Sequence, residues 1–230
     1  MDAEIAKYVY QGLFNRDDPY FLPVSSQTRE GALIDGAVRF FTATFTMTSE
    51  RAEKFDLAGP YLLTKQGVMV TKDRYDIQTL DDLKGKKVCV NTGGALPGRI
   101  LKEKVPKAIQ VIKDTYGECL KTLRTGDADA FSTDLAILYG YAGHRDNSDL
   151  KVLPDITVED NIMYGVAFRK SDHDLCLKAK DLIKETIREG IWDNHFSNTL
   201  PKYKNDYPNY QTAIRPTEGM IETNSCQTPS

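Results

Sequence analysis

A chain of 230 residues with 40% hydrophobic content has enough apolar material for one large domain or two small lobes. The net charge of -3, with no Lys/Arg cluster interleaved with aromatics, argues against a nucleic acid partner. No apolar run approaches the roughly 18 residues of a membrane-spanning helix, so no direct membrane span is expected. The opening Met-Asp-Ala-Glu-Ile-Ala also lacks the basic and apolar regions of a secretory signal.

In chain order, Ile5, Val9 and Leu13, with Ala6 and Tyr10 beside them, form one apolar stripe and predict a helix already under way at the start. Strands are expected at 20–24 and 38–45, separated by a short helix at 28–35 that stops at Gly36. A further strand at 62–70 and a helical turn at 80–83, stopped by Gly85, lead to a strand at 87–91. Thr92-Gly93-Gly94-Ala95 then turns into a helix through Arg99 and Ile100, the strand, tight turn, helix order of an α/β layer. A second such unit follows. A helix at 118–124 ends at Gly126, a strand covers 128–131, and Asp134 stands at its carboxyl end, where a helix at 135–141 begins and where ligands gather in open α/β sheets. The strand 163–168 precedes a long helix with Ser171 as N-cap, Asp174 at N3, and Leu175, Ala179, Leu182, Ile183 and Ile187 on one face, stopped by Gly190. From about residue 203 the chain turns polar, with Pro208, Pro216 and Pro229, and reads as an extended strap or partly disordered tail.

Catalytic residues are not expected. His144, His173 and His195 stand beside no Ser or Cys motif, and no carboxylate pair is distinguished by its setting. Cys89, Cys119, Cys176 and Cys226 have neither CxxC spacing nor a nearby His, which argues against a metal site; they are buried thiols, or Cys89 and Cys119 form a disulfide. Residues 93–98 match neither G-x-G-x-x-G nor a Walker loop, so no phosphate-bearing cofactor is implied. That turn is either a tight turn alone or a set of backbone N–H groups suited to a small carboxylate. Between Ala43 and Arg51, alternation places Thr44, Thr46 and Thr48 on one side of a strand end just before a guanidinium. A planar guanidinium matches a carboxylate bidentately, and hydroxyl oxygens accept from an ammonium group.

Several segments in the same order resemble a known family, the type II periplasmic binding proteins of polar amino acid ABC importers, especially its glutamate/glutamine branch. Thr44-Phe45-Thr46-Met47-Thr48-Ser49-Glu50-Arg51, followed by Phe55-Asp56-Leu57-Ala58-Gly59-Pro60-Tyr61, resembles one family segment, and Leu80 through Val88 another. Glu118-Cys119-Leu120, Gly126 through Ala130, Thr133-Asp134, Ile137-Leu138 and Tyr164-Gly165-Val166-Ala167 are similar to the rest. The likeness runs from Asp2 to about Tyr203.

The resemblance implies an α/β fold of two lobes joined by two hinge strands, with lobe one at 1–67 plus 167–230 and lobe two at 68–166. It implies an extracytoplasmic protein that captures an amino acid in the interlobe cleft and delivers it to a membrane permease, with no cofactor. Carried over by position, Arg51 takes the α-carboxylate, Thr46 and the backbone of Thr44 the α-ammonium, and Asp134 the ammonium from the other lobe, with Thr92, Gly94 and Ala95 beside the ligand. The family opens with a strand that this chain lacks. It also places a Thr where Gly94-Ala95 stand, and usually an Asp where Arg39 stands. The alternatives are a ligand-binding sensor domain, a dehydratase of the same fold, and a truncated or degenerate relative that binds nothing.

Overall fold

The computed structural model describes residues 1–91 and 95–227. The chain divides into two compact units: Met1–Leu63, Met163–Thr199 and Tyr207–Ser230 form unit 1, and Thr64–Ile162 with Leu200–Asp206 form unit 2.

Unit 2 is built on a sheet. β1 (Phe55–Thr71), β2 (Lys87–Asn91), β3 (Ile109–Lys113), β4 (Ala130–Asp134) and β5 (Leu150–Leu153) lie in the order β3-β2-β4-β1-β5. β2 runs parallel to β3 and β4, while β1, from Gln66 onward, runs antiparallel to β4 and β5. The parallel strands are joined by α4 (Ala95–Lys104) and α5 (Tyr116–Thr125), and α6 (Leu135–Ala142) follows β4. Val88-Cys89-Val90 is a continuous apolar run because a parallel strand with both faces covered needs no polar side. Val88 and Val90 meet Val68, Val70, Leu101, Val105 and Ala130 in one buried cluster. α5 has clear local causes: Thr115 and Glu118 form a reciprocal capping box, and Gly126 closes the helix at φ 75°, a conformation that costs glycine nothing. A disulfide ties Cys89 on β2 to Cys119 on α5.

In unit 1, α1 (Asp2–Phe14) buries Ile5, Ala6 and Val9 and packs on α7 (His173–Arg188), which buries Cys176, Ala179 and Ile183. The contact is close: a Cβ at Gly12 would stand 2.4 Å from a methyl of Leu182. On α8 (Ile191–Thr199), Trp192 is fully buried, stacks on Phe196 and donates its indole N–H to the Tyr61 carbonyl at 2.6 Å. α11 (Glu218–Asn224) returns to α7, where Lys180 and Lys184 each reach Glu222 at 2.9 Å and draw its carboxyl down to about 2. Beside that contact, a second disulfide joins Cys176 to Cys226.

A hydrogen-bond network pins residues 42–46. Asp2 Oδ2 accepts the Thr44 N–H at 2.7 Å, Thr42 Oγ1 donates to the Asp2 carbonyl at 3.1 Å, and Thr44 is held at φ 46°. The Tyr61 hydroxyl lies 2.9 Å from Asp2 Oδ1 and 2.7 Å from the Thr42 carbonyl. The single hydroxyl proton of Tyr61 is shared between these two acceptors. Burial pushes the Asp2 carboxyl above its ordinary value, against the Tyr61 hydrogen bond and the nearby amino terminus and Arg29.

Several elements differ from the sequence expectation. Residues 20–24 and 38–45 form no ladder; Phe41 makes an isolated bridge to Ala167 and, just past the second segment, Thr46 makes one to Tyr164. The second segment does have a hydrogen-bonded neighbour, since Phe41 and Ala167 exchange backbone hydrogen bonds and Gly165 donates to the Phe45 carbonyl, but Thr44, held at φ 46°, interrupts the register, while Tyr20 and Phe21 line a cavity of about 530 Å³ with Phe40 and Thr42. The strand expected at 128–131 is β4, displaced toward Asp134, and β3 and β5 were not foreseen. The N-cap of α7 is Asp172, because a 3₁₀ turn over Lys170–Asp172 takes up Ser171. The polar C-terminal stretch is largely helical, as α9 (Pro201–Asp206), α10 (Tyr210–Ala213) and α11. Tyr203 on α9 stacks on Tyr139 of α6 at 4.5 Å, and Tyr210 on α10 stacks on Phe196 at 5.1 Å; local periodicity does not reveal such anchors.

Two outcomes are expected. The bridges close spans of 30 and 50 residues, worth about 3.5 and about 4 kcal/mol respectively by loop-closure entropy. Reductant should therefore lower the melting temperature, and Cys226→Ser should expose the segment after Thr217 to limited proteolysis while Cys89→Ser leaves it protected. For Asp2, a raised carboxyl binds a proton in the folded chain that the unfolded chain has lost, so its contribution declines as pH rises from about 3.8 through the folded value. Asp2→Asn should melt higher than the parent at pH 7, and the difference should shrink toward pH 4 in a pH series of thermal melts.

Candidate functional site

The sequence-predicted residues fall in both units, and each group has its own local cause. In unit 1 the centre is Phe45, fully buried, with two guanidinium groups on its ring: the Arg51 Cζ at 4.0 Å and the Arg29 Cζ at 4.7 Å from the centroid. Arg51 lies on α3 (Ser49–Lys54), whose N-cap Thr48 accepts the Arg51 N–H at 3.2 Å. Its Nη1 donates to the Thr46 carbonyl at 2.9 Å and its Nε lies 3.9 Å from Glu30. Thr48 is therefore a helix cap, and it fixes the backbone from which Arg51 extends.

Arg29, on α2 (Arg29–Ile34), was not singled out by sequence reasoning, yet it is only 3% exposed. Its Nη1 donates to the Ala43 carbonyl and, at 3.4 Å, to the Thr44 carbonyl. Both backbone groups of Thr44 are thus engaged within the chain, the N–H by Asp2 and the carbonyl by Arg29. The carbonyl keeps a second lone pair for a ligand donor. Thr46 pairs with Tyr164 in an antiparallel bridge, which fixes the direction of its side chain.

In unit 2, Asp134 ends β4 and is 6% exposed. It is also the N-cap of α6, but its side chain makes no capping bond; the Ala136 N–H is taken instead by Thr64 Oγ1 at 3.3 Å. A carboxylate at this position profits from the helix N-terminus without being used as its cap. Asn91 is buried at the end of β2, Arg99 is exposed on α4, and α4 begins at Ala95. Thr92 and Gly94 lie outside the described residues. Arg39 stands 3.9 Å from Asp172 on an exposed face.

The histidines have local partners. His173 Nδ1 is 2.5 Å from Asp56, which is 2% exposed and also held by Lys170 at 2.8 Å. His195 faces Glu4 at 3.5 Å, and burial lowers its pKa. His144 accepts the Asp146 N–H. Among the described residues no group of three or more His, Cys, Asp or Glu side chains is placed to hold a metal ion, and no helix is long and apolar enough to cross a membrane. What the site residues offer is recognition chemistry: an oriented guanidinium, threonine hydroxyls and a carboxylate at a helix start.

Comparison with known proteins points the same way. The family described as bacterial extracellular solute-binding proteins, family 3, matches residues 1–199. The glutamate-binding protein GluB of Corynebacterium efficiens is 30% identical over 208 residues, covering 87% of this chain and 69% of the relative. The ABC transporter glutamine-binding protein GlnH of Bacillus subtilis is 31% identical over 201 residues, covering 86% and 71%. An ancestral arginine-binding protein bound to arginine superposes with a TM-score of 0.75 at 27% identity, covering 86% of this chain and 87% of that one. The chain belongs to the family 3 extracellular solute-binding proteins.

Proposed function

We propose that this chain captures a polar amino acid of the glutamate or glutamine type outside the cytoplasm and presents it to the permease of an ABC importer, without covalent chemistry. The observation that carries this reading is the setting of Arg51. Its guanidinium is stacked on Phe45 and tied to the Thr46 carbonyl, so the group that meets the ligand α-carboxylate is oriented before binding and loses little entropy on capture. Thr46, with the second lone pair of the Thr44 carbonyl, and Asp134 take the α-ammonium, while Thr92, Gly94 and Ala95 also contribute to binding. A zwitterion needs both an anion-binding and a cation-binding partner, and Arg51 and Asp134 supply one each. Its glutamate- and glutamine-binding relatives support the choice of side-chain class.

Titration calorimetry with glutamate, glutamine, aspartate, asparagine and arginine tests this. At least one of the first four should bind, and Arg51→Ala and Asp134→Ala should each cost roughly 2 to 5 kcal/mol, since each leaves a buried ligand charge unpaired. Equal binding of the parent and both variants, or no binding to any of the five by the folded parent, would reject the proposal.

A further inference from the structure

The strongest unassigned feature near the candidate residues is Gln66, fully buried on β1 and paired across the sheet with Asp134. Directly opposed residues of an antiparallel pair project to the same face, so this amide and the Asp134 carboxylate are neighbours. Gln66 Nε2 donates to the Pro97 carbonyl in the first turn of α4 and to Ser132 Oγ on β4, each at 3.0 Å. Ser132 Oγ in turn donates to the Gly67 carbonyl at 2.9 Å.

The orientation of the amide follows from its partners. A carbonyl such as Pro97 only accepts, and Ser132, having given its proton to Gly67, must accept from Gln66. Both partners therefore require N–H donors, which neither Glu nor Leu carries. The remaining atom, Oε1, has no hydrogen-bond partner among the described residues, an arrangement that is costly in a buried place.

We propose that Gln66 is a positioning residue for ligand binding: one side-chain amide ties the first turn of α4 to β4 beside Asp134. This sets the spacing between the helix start that meets the ligand carboxylate and the carboxylate that meets its ammonium. The inference rests on the amino acid-binding reading above. Gln110 adds a second tie to the same turn, its Nε2 donating to the Gly98 carbonyl at 2.7 Å, so loss of Gln66 shifts α4 without releasing it.

The test uses the full chain and two readouts. In the ligand-free protein, Gln66→Leu and Gln66→Glu should speed hydrogen exchange at Arg99, Ile100 and Leu101, the first amides that bond within α4, at least tenfold while leaving α5 unchanged. By calorimetry with glutamate and glutamine, both variants should bind at least tenfold more weakly than the parent. The double variant Gln66→Leu/Asp134→Asn should be within threefold of Asp134→Asn alone, because the two residues act through one geometry. Ser132→Ala removes one arm of the tie and keeps the test if the Gln66 variants fail to fold; it should weaken binding at least threefold. Unchanged exchange in α4, or losses that simply add in the double variant, would overturn the proposal. A folded parent that binds neither amino acid would instead reject the transport reading, and the ligand part of this inference with it, whatever the exchange data show.

Discussion

Unit 1 presents its candidate residues through one constraint, the fixing of residues 43–46 by two arginines. Arg29 takes the carbonyls of Ala43 and Thr44, Arg51 takes that of Thr46, and both guanidinium groups lie on the Phe45 ring between them. Two cations this close repel. The arrangement persists because each is neutralised locally by backbone dipoles, by the face of an aromatic ring and, for Arg51, by Glu30. The result is a short irregular segment that holds its shape without a strand ladder, and from which Thr44 and Thr46 project.

Unit 2 solves the opposite problem with regular structure. Its acidic group comes from the end of a fully paired strand, and the adjacent helix is served by Thr64, so Asp134 need not be spent on capping. Regular elements also hold α4, through side-chain amides on β1 and β3 that reach its first-turn carbonyls. A sheet-anchored site is stiff by construction, whereas the unit 1 site depends on a few side chains, so single substitutions at Arg29 or Phe45 act on it more directly.

The legibility of the chain followed the range of the forces involved. Parallel strands and their helices in unit 2 are encoded locally, by apolar runs, capping residues and stop glycines, and β2, α5 and α6 were readable within a few residues. Residues 20–24 and 38–45 have the same local pattern, but the first joins no ladder and the second meets residues 163–167 only in isolated bridges, and the helices after residue 200 are held by Tyr203, Tyr210 and Cys226 against distant partners. At the candidate site, Arg51 and Asp134 were visible through position and family resemblance. Arg29, Tyr61 and Gln66 were not, because an Arg in a short helix, a strand Tyr and a strand Gln acquire meaning only from what the fold places beside them. Cys176 and Cys226 were hidden for the same reason: the second lay in a stretch that sequence alone assigned to a strap.

The two bridges follow one another along the chain without interleaving, Cys89 with Cys119 and then Cys176 with Cys226. Four cysteines admit three pairings, and a chain released all at once must sort among them. A chain that emerges from its amino end exposes the first two cysteines while the last two are still unmade. Oxidation at that stage can only join Cys89 to Cys119, and the pair left over has only itself. In a chain exposed to oxidant in that order, the sequence order of the cysteines therefore favours the native pairing without an isomerase.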